Sequence, residues 1–314
     1  MSRERLRRSE LSTPGTSPKM MAKAAQSDAD LVFLDLEDAV APAEKEGARH
    51  QVVAALTGLE WGRKTRAYRI NGVHTAWCHD DLIEVVTGAG ACVDVVIVPK
   101  VKAPRDVWFI DDLLTQLERK LGLEEGRIGL EVLIEETEAL ACVEAIAASS
   151  PRLEALILGV GDLSASQGIR AGHIGAAGEG GGPVGYPGDM WHYARNRLIV
   201  AARANGLDAV DGPYADFNDA EGYRREAAWA ATLGAVGKWC IHPSQITVAN
   251  DVFAPTPAEI DQARQVVGAV RAAEEQGLGA ARLGGVMVDA ATARVFEGVL
   301  RRARLCGLLD GPAP

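Results

Sequence analysis

Three acidic side chains crowd the end of one apolar run, in the stretch FLDLEDAV at residues 33–40. Asp35, Glu37 and Asp38 follow directly on a segment that has the pattern of a buried strand. Like charges repel at this spacing, and a buried charge is costly unless a metal ion or a basic side chain compensates it. The stretch therefore predicts either a divalent metal or a set of basic partners close to these carboxylates.

Polar residues stand at the ends of further apolar runs. Arg69 offers a planar fork suited to a carboxylate or a thioester oxygen. Glu135 and Asp162 are of the type that binds a hard dication such as Mg²⁺, which takes few protein oxygens. In chain order the whole set is Asp35, Glu37, Asp38, Arg69, Asn71, Lys100, Glu135, Glu136, Asp162, Asp211 and His242. A ring so rich in acids favours a divalent metal over ion pairs alone, but it does not identify a reaction.

Eight short apolar runs alternate with helical patterns and predict the elements that position these residues. Most runs are apolar on both faces, which is typical of parallel strands covered on both sides. The predicted strands cover residues 9–13, 30–36, 65–70, 94–100, 128–134, 154–160, 207–212 and 235–241. Eight alternations predict an α/β fold, a (β/α)₈ TIM barrel, whose chemistry lies at the carboxyl ends of the strands. A doubly wound open sheet is the alternative, although no GxGxxG follows the first strand.

Two stretches interrupt this rhythm. Residues 171–188 are dense in glycine, and long loops of this kind are often lids or binding loops, with a floppy insertion as the alternative. Residues 255–314 follow the eighth strand and contain a helix, a hairpin-like segment punctuated by glycine and a final helix. We expect a barrel over residues 1–254 and a C-terminal helix and lid segment over 255–314. That segment needs a surface to pack on, either its own barrel or a neighbouring subunit.

Composition excludes several classes of protein. The chain has 314 residues and a formal net charge of −10, which argues against nucleic acid as a main partner. No apolar run approaches the ~20 residues of a membrane helix, and MSRERLRRSE lacks the apolar core of a secretion signal. Five cysteines without CxxC spacing indicate reduced thiols, so we expect a cytoplasmic protein. The six histidines show no HExxH pattern that would favour zinc.

Eight collinear motifs carry a resemblance to a known family. They are RSELSTPG, FLDLEDAVAPAEKEGAR, YRINGVHTAW, VPKV, EVLIEETEAL, GVGDLSAS, DGPYADFND and KWCIHPSQI. Together they resemble the citrate lyase β-subunit-like branch of the HpcH/HpaI aldolase superfamily, and within it the malyl-CoA lyases and their citramalyl-CoA and β-methylmalyl-CoA relatives. The resemblance spans nearly the whole chain, from Arg8 to the final helix.

The resemblance implies a fold, a reaction and roles for particular residues. It implies a trimeric or hexameric TIM barrel that uses Mg²⁺ or Mn²⁺ to cleave or form a carbon–carbon bond in a 3-hydroxyacyl-CoA thioester. Glu135 and Asp162 correspond to the metal ligands and Arg69 to the substrate-binding arginine. Asp289, in GGVMVDAAT, corresponds to an aspartate that a neighbouring subunit contributes to the active site and that takes the α-proton of the thioester.

Further roles are expected on weaker grounds. Arg8 and Lys19 are candidate contacts for the phosphate or pantetheine of coenzyme A, with ordinary surface charge as the alternative. Asp38 and the other acids of DLED are expected to act from beside the metal, by orienting metal-bound waters and basic neighbours. His242 is expected to shape its loop.

Several functions stay open at this stage. A malyl-CoA thioesterase, a citrate lyase β-subunit, an aldolase for free acids and a catalytically silent scaffold are all compatible with the same fold. LIEE replaces the family's usual LIET, so Glu136 adds an acid beside Glu135, and the 171–188 loop is unusually rich in glycine. These departures concern the acyl substrate, which the sequence does not identify.

Overall fold

The structure, a computed structural model, describes residues 4–170 and 189–310 of the chain. The glycine-rich loop expected at 171–188 lies outside the described residues. The chain divides into two compact units, Met1–Asp251 and Val252–Pro314.

Eight parallel strands of the first unit form a closed barrel, in which each strand pairs with the next and the eighth with the first. The strands are β1 (Ser9–Pro14), β2 (Leu31–Asp35), β3 (Thr65–Arg69), β4 (Val95–Val98), β5 (Gly129–Ile134), β6 (Leu153–Leu158), β7 (Asp208–Asp211) and β8 (Gly237–Cys240). All eight predicted strands are present, and the predicted (β/α)₈ barrel is confirmed. The open-sheet alternative is wrong because β8 closes onto β1.

Helices connect the barrel strands, and further helices follow the last of these strands in the chain. Within the described residues these are α1 (Pro18–Ala25), α2 (Lys45–Gly58), α3 (Cys78–Ala89), α4 (Pro104–Leu121), α5 (Thr137–Ala141), α6 (Val143–Ala147), α7 (Val160–Gln167), α8 (His192–Ala204), α9 (Ala220–Leu233), α10 (Ser244–Val252), α11 (Pro257–Glu275) and α12 (Ala290–Leu305). Two short 3₁₀ turns, Pro42–Glu44 and Gly90–Cys92, complete the list. No helix in the described parts of the chain is long and apolar enough to span a membrane.

Local sequence signals account for several helix ends. Helix α11 begins with a capping box in which Thr256 and Glu259 bond reciprocally, and Pro257 occupies its first turn. Helix α4 ends at Gly122, whose positive φ of 67° suits a residue without a Cβ. The stretch TEALACVEAIAAS has the pattern of a single helix, but the structure divides it into α5 and α6 at Cys142, where φ is −125° and ψ is 29°.

The interior of the barrel follows the two-residue period of the strands. Alternate residues such as Phe33 on β2, Ala67 on β3 and Leu133 on β5 pack into one buried cluster inside the barrel. Two residues further along each of these strands come Asp35, Arg69 and Glu135, which therefore share the inward face. This alternation brings three charged side chains from separate strands to the carboxyl end of the barrel.

The amino end of the barrel also holds buried charge. Arg7 is fully buried and donates from Nε to Glu131 Oε1 at 2.7 Å, and it also contacts Glu154. Glu10 accepts a 2.9 Å bond from Trp239 Nε1, while Glu10 Oε1 and Glu131 Oε2 have no hydrogen-bond partner. Burial raises the pKa of Glu10 well above its ordinary value, and the nearby Glu131 carboxylate adds to the rise.

The second unit is built from α11, a two-stranded antiparallel hairpin and α12. The hairpin strands are β9 (Ala280–Leu283) and β10 (Val286–Asp289). Gly284 and Gly285 join them with φ values of 57° and 86°, the positive pair that a tight two-residue hairpin turn requires. Val266 and Val270 of α11 pack against Val288 of β10. The expected hairpin and final helix are therefore both present.

Candidate active site at the carboxyl ends of the strands

Asp35 and Arg69 form the best-defined ion pair of the barrel mouth. They are register partners on β2 and β3, and Arg69 donates from Nε and Nη2 to the two carboxylate oxygens of Asp35 at 2.8 and 2.6 Å. Burial alone would raise the pKa of Asp35, but the Arg69 charge and these hydrogen bonds outweigh it and hold the pKa below its ordinary value. Arg69 Cζ also lies 5.5 Å from the centre of the Trp239 ring, within the range of a cation–π contact.

Glu37 links this pair to Lys100, which follows β4. Its Oε2 lies 2.7 Å from Arg69 Nη1, and its Oε1 accepts a 2.6 Å hydrogen bond from Lys100 Nζ. The same ammonium lies 3.2 Å from Asp38 Oδ2 and 3.3 Å from Asp162 Oδ2. One lysine side chain after β4 therefore joins the loop after β2 to the first turn of α7.

Glu135 lies beside this network with its carboxylate buried. Its Oε1 accepts a 2.7 Å hydrogen bond from the backbone N–H of Lys100. Burial raises the pKa of Glu135 to about 8, and the charges of Glu37 and Asp162 contribute to the rise. Gly159, which precedes α7, leaves the room for this side chain: a Cβ there would collide with Glu135 Cβ and lie 2.7 Å from its Oε2.

The balance of charge at the mouth is negative. The two cationic side chains of the network, Arg69 and Lys100, face five carboxylates, namely Asp35, Glu37, Asp38, Glu135 and Asp162. Within residues 4–170 and 189–310 no group of three or more His, Cys, Asp or Glu side chains is arranged to hold a metal. The hard oxygen donors, the excess negative charge and the raised pKa of Glu135 nevertheless fit a dication that takes few protein ligands.

The exposed acids of the mouth are the ones a soluble ligand would meet first. The Asp38 side chain is 61% exposed and that of Asp162, in the first turn of α7, is 39% exposed. Glu37 and Glu135, by contrast, are almost fully buried. Asp162 is thus placed so that its carboxylate can face both the network and the solvent.

A second layer of bonds fixes the DLED loop. Lys45 Nζ donates to the backbone carbonyls of Leu36 and Glu37 at 2.8 and 2.7 Å. Asn71 donates to Leu36 O at 3.0 Å and is itself held by the buried Asp81. Asn71 stood among the predicted strand-end residues, whereas Lys45 and Asp81 were missed because they lie inside helices.

Three residues of the predicted ring do not join the network. Asp211 follows the inward-facing Val210 and so points outward to the helix layer, where Arg195 and Lys238 bind it at 2.9 and 2.6 Å. Glu136 follows the inward-facing Glu135. It lies 3.7 Å from the ammonium of Lys102.

The third of these residues, His242, is exposed. Its Nδ1 accepts a 3.2 Å hydrogen bond from the backbone N–H of Ser244. The same nitrogen lies 2.8 Å from Ser244 Oγ. These bonds within its own turn are the kind of contact expected of a loop-shaping residue.

The structure separates the two candidate coenzyme contacts. Arg8 directly precedes β1, at the amino end of the barrel, and makes a bidentate ion pair with Asp30 at 2.8 Å for both bonds. Arg69 ends β3, so Arg8 lies at the opposite end of the parallel barrel, and we do not retain it as a ligand contact. Lys19, in the first turn of α1, is exposed and follows the carboxyl end of β1, on the same side as Arg69.

Asp289 lies in the second unit, at the junction of β10 and α12. It is the N-cap of α12: its Oδ1 accepts 2.9 Å hydrogen bonds from the N–H and the hydroxyl of Thr292. These bonds lower the pKa of Asp289, so the carboxylate is ionised at neutral pH.

The chain is similar to known proteins over most of its length. A sequence model of the HpcH/HpaI aldolase/citrate lyase family matches residues 8–243. The chain is 41% identical over 305 residues to the L-malyl-CoA/beta-methylmalyl-CoA lyase of Rhodobacter capsulatus, covering 96% of each chain. It is 33% identical over 311 residues to the citrate lyase subunit beta of Leuconostoc mesenteroides subsp. cremoris, covering 99% of this chain and 97% of the relative.

A solved structure agrees with these sequence relatives. Protein CitE from Mycobacterium tuberculosis, in complex with magnesium, acetoacetate and coenzyme A, superposes with a TM-score of 0.73 at 31% identity. The match covers 94% of this chain and 97% of that one.

Proposed function

The chain belongs to the HpcH/HpaI aldolase/citrate lyase family, and we propose that it is a carbon–carbon lyase acting on a coenzyme A ester. The substrate would be a 3-hydroxyacyl-CoA such as malyl-CoA or citramalyl-CoA. Cleavage would give acetyl-CoA or propionyl-CoA as one product and glyoxylate or pyruvate as the other. The reverse reaction would form the 3-hydroxyacyl-CoA from these compounds. The observation that carries the proposal is the network of Arg69, Glu37, Lys100 and Asp162, with Glu135 beside it at the barrel mouth.

We propose Glu135 and Asp162 as the ligands of Mg²⁺, with Mn²⁺ as the alternative. The support is the excess of carboxylates at the mouth and the magnesium present in the CitE structure. When bound, the metal would supply Lewis-acid polarisation of a 2-oxo acid. Asp38 would orient Lys100 and the waters bound to the metal, since its exposed carboxylate lies 3.2 Å from Lys100 Nζ and faces solvent.

Arg69 is proposed to hold the thioester oxygen as that oxygen gains negative charge. Two of its five N–H groups are committed to Asp35, which fixes the plane of the guanidinium. The remaining N–H groups are free to contact a ligand if Glu37 gives up its place at Nη1. Donors fixed before the reaction begins contribute most to stabilising a developing charge, because they need no reorientation.

Asp289 is proposed to take the α-proton of the thioester, which leaves an enolate to attack the keto carbon; cleavage is the reverse. We propose that it acts in the active site of a neighbouring subunit, which makes the enzyme a homotrimer or homohexamer with shared sites. The hairpin beside it carries Val286 and Met287, which are 66% and 73% exposed. An apolar tip of this kind suits a surface that closes onto another subunit.

Lys19 is the remaining candidate contact for coenzyme A. It is exposed in the first turn of α1, on the side of the barrel where the strands end. A phosphate or pantetheine group running past the first βα loop would pass this side chain. Arg8 has no part in the proposal, because it is paired with Asp30 at the other end.

One assay separates the proposed lyase from its alternatives. Malyl-CoA and citramalyl-CoA are supplied with Mg²⁺, and both the 2-oxo acid and the free thiol are followed. Release of glyoxylate or pyruvate without free thiol is expected and establishes the lyase with its acyl preference. Free thiol together with the intact hydroxy acid would instead identify a thioesterase. Turnover only of an ester on an acyl-carrier protein would identify a citrate lyase β-subunit.

A further inference from the structure

Lys100 has a backbone conformation that side chains normally avoid. Its φ is +51°, and within the described parts of the chain it is the only non-glycine residue with a positive φ. A residue with a Cβ is disfavoured there, and such conformations persist only where the surroundings impose them. The residue lies just after β4, at the carboxyl end of the barrel.

This conformation lets one residue hold both proposed metal ligands in different ways. Its backbone N–H donates to Glu135 Oε1 at 2.7 Å, and its ammonium lies 3.3 Å from Asp162 Oδ2. The ammonium also contacts Glu37 at 2.6 Å and Asp38 at 3.2 Å, while the side chain is only 20% exposed. Among the residues described, this is the cation that lies between the acids after β2 and Asp162 in the first turn of α7.

We propose that Lys100 is a positioning residue whose ammonium holds the place of the dication at Asp162 and is displaced from that carboxylate when the metal binds. The inference rests on the proposed function, in that Glu135 and Asp162 are taken as the metal ligands. It assigns Lys100 two tasks: the backbone N–H orients Glu135, and the side chain neutralises nearby carboxylates before a metal binds.

The contacts of the ammonium make this exchange possible. Lysine donates to three acceptors at once, and here three carboxylates surround it. When a dication takes Asp162, the ammonium keeps Glu37 and Asp38, so it is never left without a partner. Two cations close to one carboxylate repel each other, however, and Lys100 therefore weakens metal binding while it stabilises the metal-free protein.

The test is a calorimetric titration of the full-length protein with Mg²⁺ alone, without any oxo acid or coenzyme. K100M removes the charge but keeps the chain length and the backbone N–H. K100G removes the same charge and accepts the positive φ, so it covers the case in which K100M fails to fold. K102M is the matched control, because Lys102 is exposed and pairs with Glu136 and Glu138 outside the network.

We expect K100M and K100G to bind Mg²⁺ roughly tenfold more tightly than the wild type, since one nearby positive charge is removed. In the absence of metal, K100M and K100G should each unfold at a lower temperature than K102M. The Mg²⁺ affinity of K102M should equal that of the wild type. A Lys100 with a purely structural role would give weaker binding on substitution, so tighter binding is the distinguishing result. Binding in the variants and none in the wild type would support the same conclusion.

The remaining outcomes contradict one proposal or both. Wild-type binding that E135Q abolishes, together with equal or weaker binding in K100M and K100G, overturns the role of Lys100 and leaves the metal site intact. Wild-type binding that E135Q leaves unchanged means that the metal binds elsewhere, which overturns the ligand assignment and the Lys100 role together. The same conclusion follows if neither the wild type nor the variants bind Mg²⁺.

Discussion

Asp35 and Arg69 are joined twice, as register partners on adjacent strands and as a bidentate ion pair with bonds of 2.8 and 2.6 Å. The strand ladder therefore sets the orientation of the guanidinium before any ligand arrives. Because both side chains are buried, the pair has few ways to relax if one partner is lost. The relationship makes the barrel mouth part of the folded core as well as a reaction site.

The first prediction concerns the stability that this pair provides. D35A should lower the free energy of unfolding by about 3–5 kcal/mol, because it breaks a buried bidentate ion pair and leaves the Arg69 charge with Glu37 as its remaining partner in the network. D38A, which truncates the mostly exposed neighbour, should change it by no more than about 0.5 kcal/mol. Urea unfolding at neutral pH compares the two. Equal losses in both variants would contradict the prediction.

The second prediction concerns catalysis by Arg69. R69K keeps the positive charge but cannot form the planar fork, so kcat/KM should fall by roughly 100-fold or more. R66K is the matched control, because Arg66 lies on the same strand and makes a similar fork with Asp94 at 2.9 and 3.1 Å. Steady-state kinetics on the substrate identified by the lyase assay test both variants. The proposed role is wrong if R69K and R66K are equally active.

The third prediction concerns the space beside Glu135. In G159A the new methyl group would collide with Glu135 Cβ and lie 2.7 Å from its Oε2, so Glu135 must shift together with its carboxylate. We expect a loss of about 1–3 kcal/mol of stability, together with weaker Mg²⁺ binding in calorimetry. G47A, in an open position of α2, should instead be neutral or slightly stabilising, by up to about 1 kcal/mol. Unchanged Mg²⁺ affinity in a folded G159A would count against Glu135 as a ligand.

The fourth prediction concerns pH and the amino end of the barrel. The pKa of Glu10 is raised in the folded protein by burial and by Glu131, so the folded state binds a proton that the unfolded chain releases near its ordinary pKa of 4.5. The stability that comes from the protonated Glu10 is fully present below pH 4.5. It is lost as the pH rises from there through the pKa of Glu10 in the folded protein. E10Q, which mimics the neutral acid, should remove this part of the pH dependence and gain stability relative to the wild type at pH 8. Denaturant titrations at pH 5 and pH 8 measure it, and parallel changes in both proteins would refute it.

The fifth prediction separates the two roles of Asp289. D289N retains a good N-cap for α12 and should keep both stability and Mg²⁺ binding while losing turnover. D289A should lose turnover as well, and in addition about 1 kcal/mol of stability with the cap. Activity and thermal unfolding are measured on the same preparations. Normal turnover in D289N would exclude Asp289 as the proton acceptor.

Most of the fold could be predicted from the sequence because each strand is a short apolar run of its own. Parallel strands buried on both faces leave a strong signal, and LVFLD and VVIV are clear examples. Helix α7 leaves only a weak signal in the sequence, since VGDLSASQ is short and only weakly amphipathic, and yet it carries Asp162. The break at Cys142 likewise depends on local dihedral angles for which the sequence shows no marker.

The sequence predicted which residues form the site better than it predicted which of them contact each other. The strand-end rule brought together Asp35, Arg69 and Glu135, because alternation along a strand is a local property. The link from Lys100 to Asp162 joins residues that are 62 positions apart in the chain, and no local sequence pattern indicates it. The pairing of Arg8 with Asp30 shows a related limit. An arginine committed to Asp30 and one open to a ligand look the same in a sequence.

The pairing of β8 with β1 has a consequence for how the molecule is made. Trp239 bonds to Glu10 across 229 positions of the chain, and Lys238 N–H donates to Arg8 O at 3.1 Å. At the ~5–20 residues per second of protein synthesis, the first strand must wait roughly 10–50 s for its last partner. During that interval both edges of the growing sheet have unpaired backbone groups. The seam also requires Gly237, since any Cβ there would strike the carbonyl of Arg7. A chain that ends before this glycine would lack β8 and leave the edge of β1 without its partner.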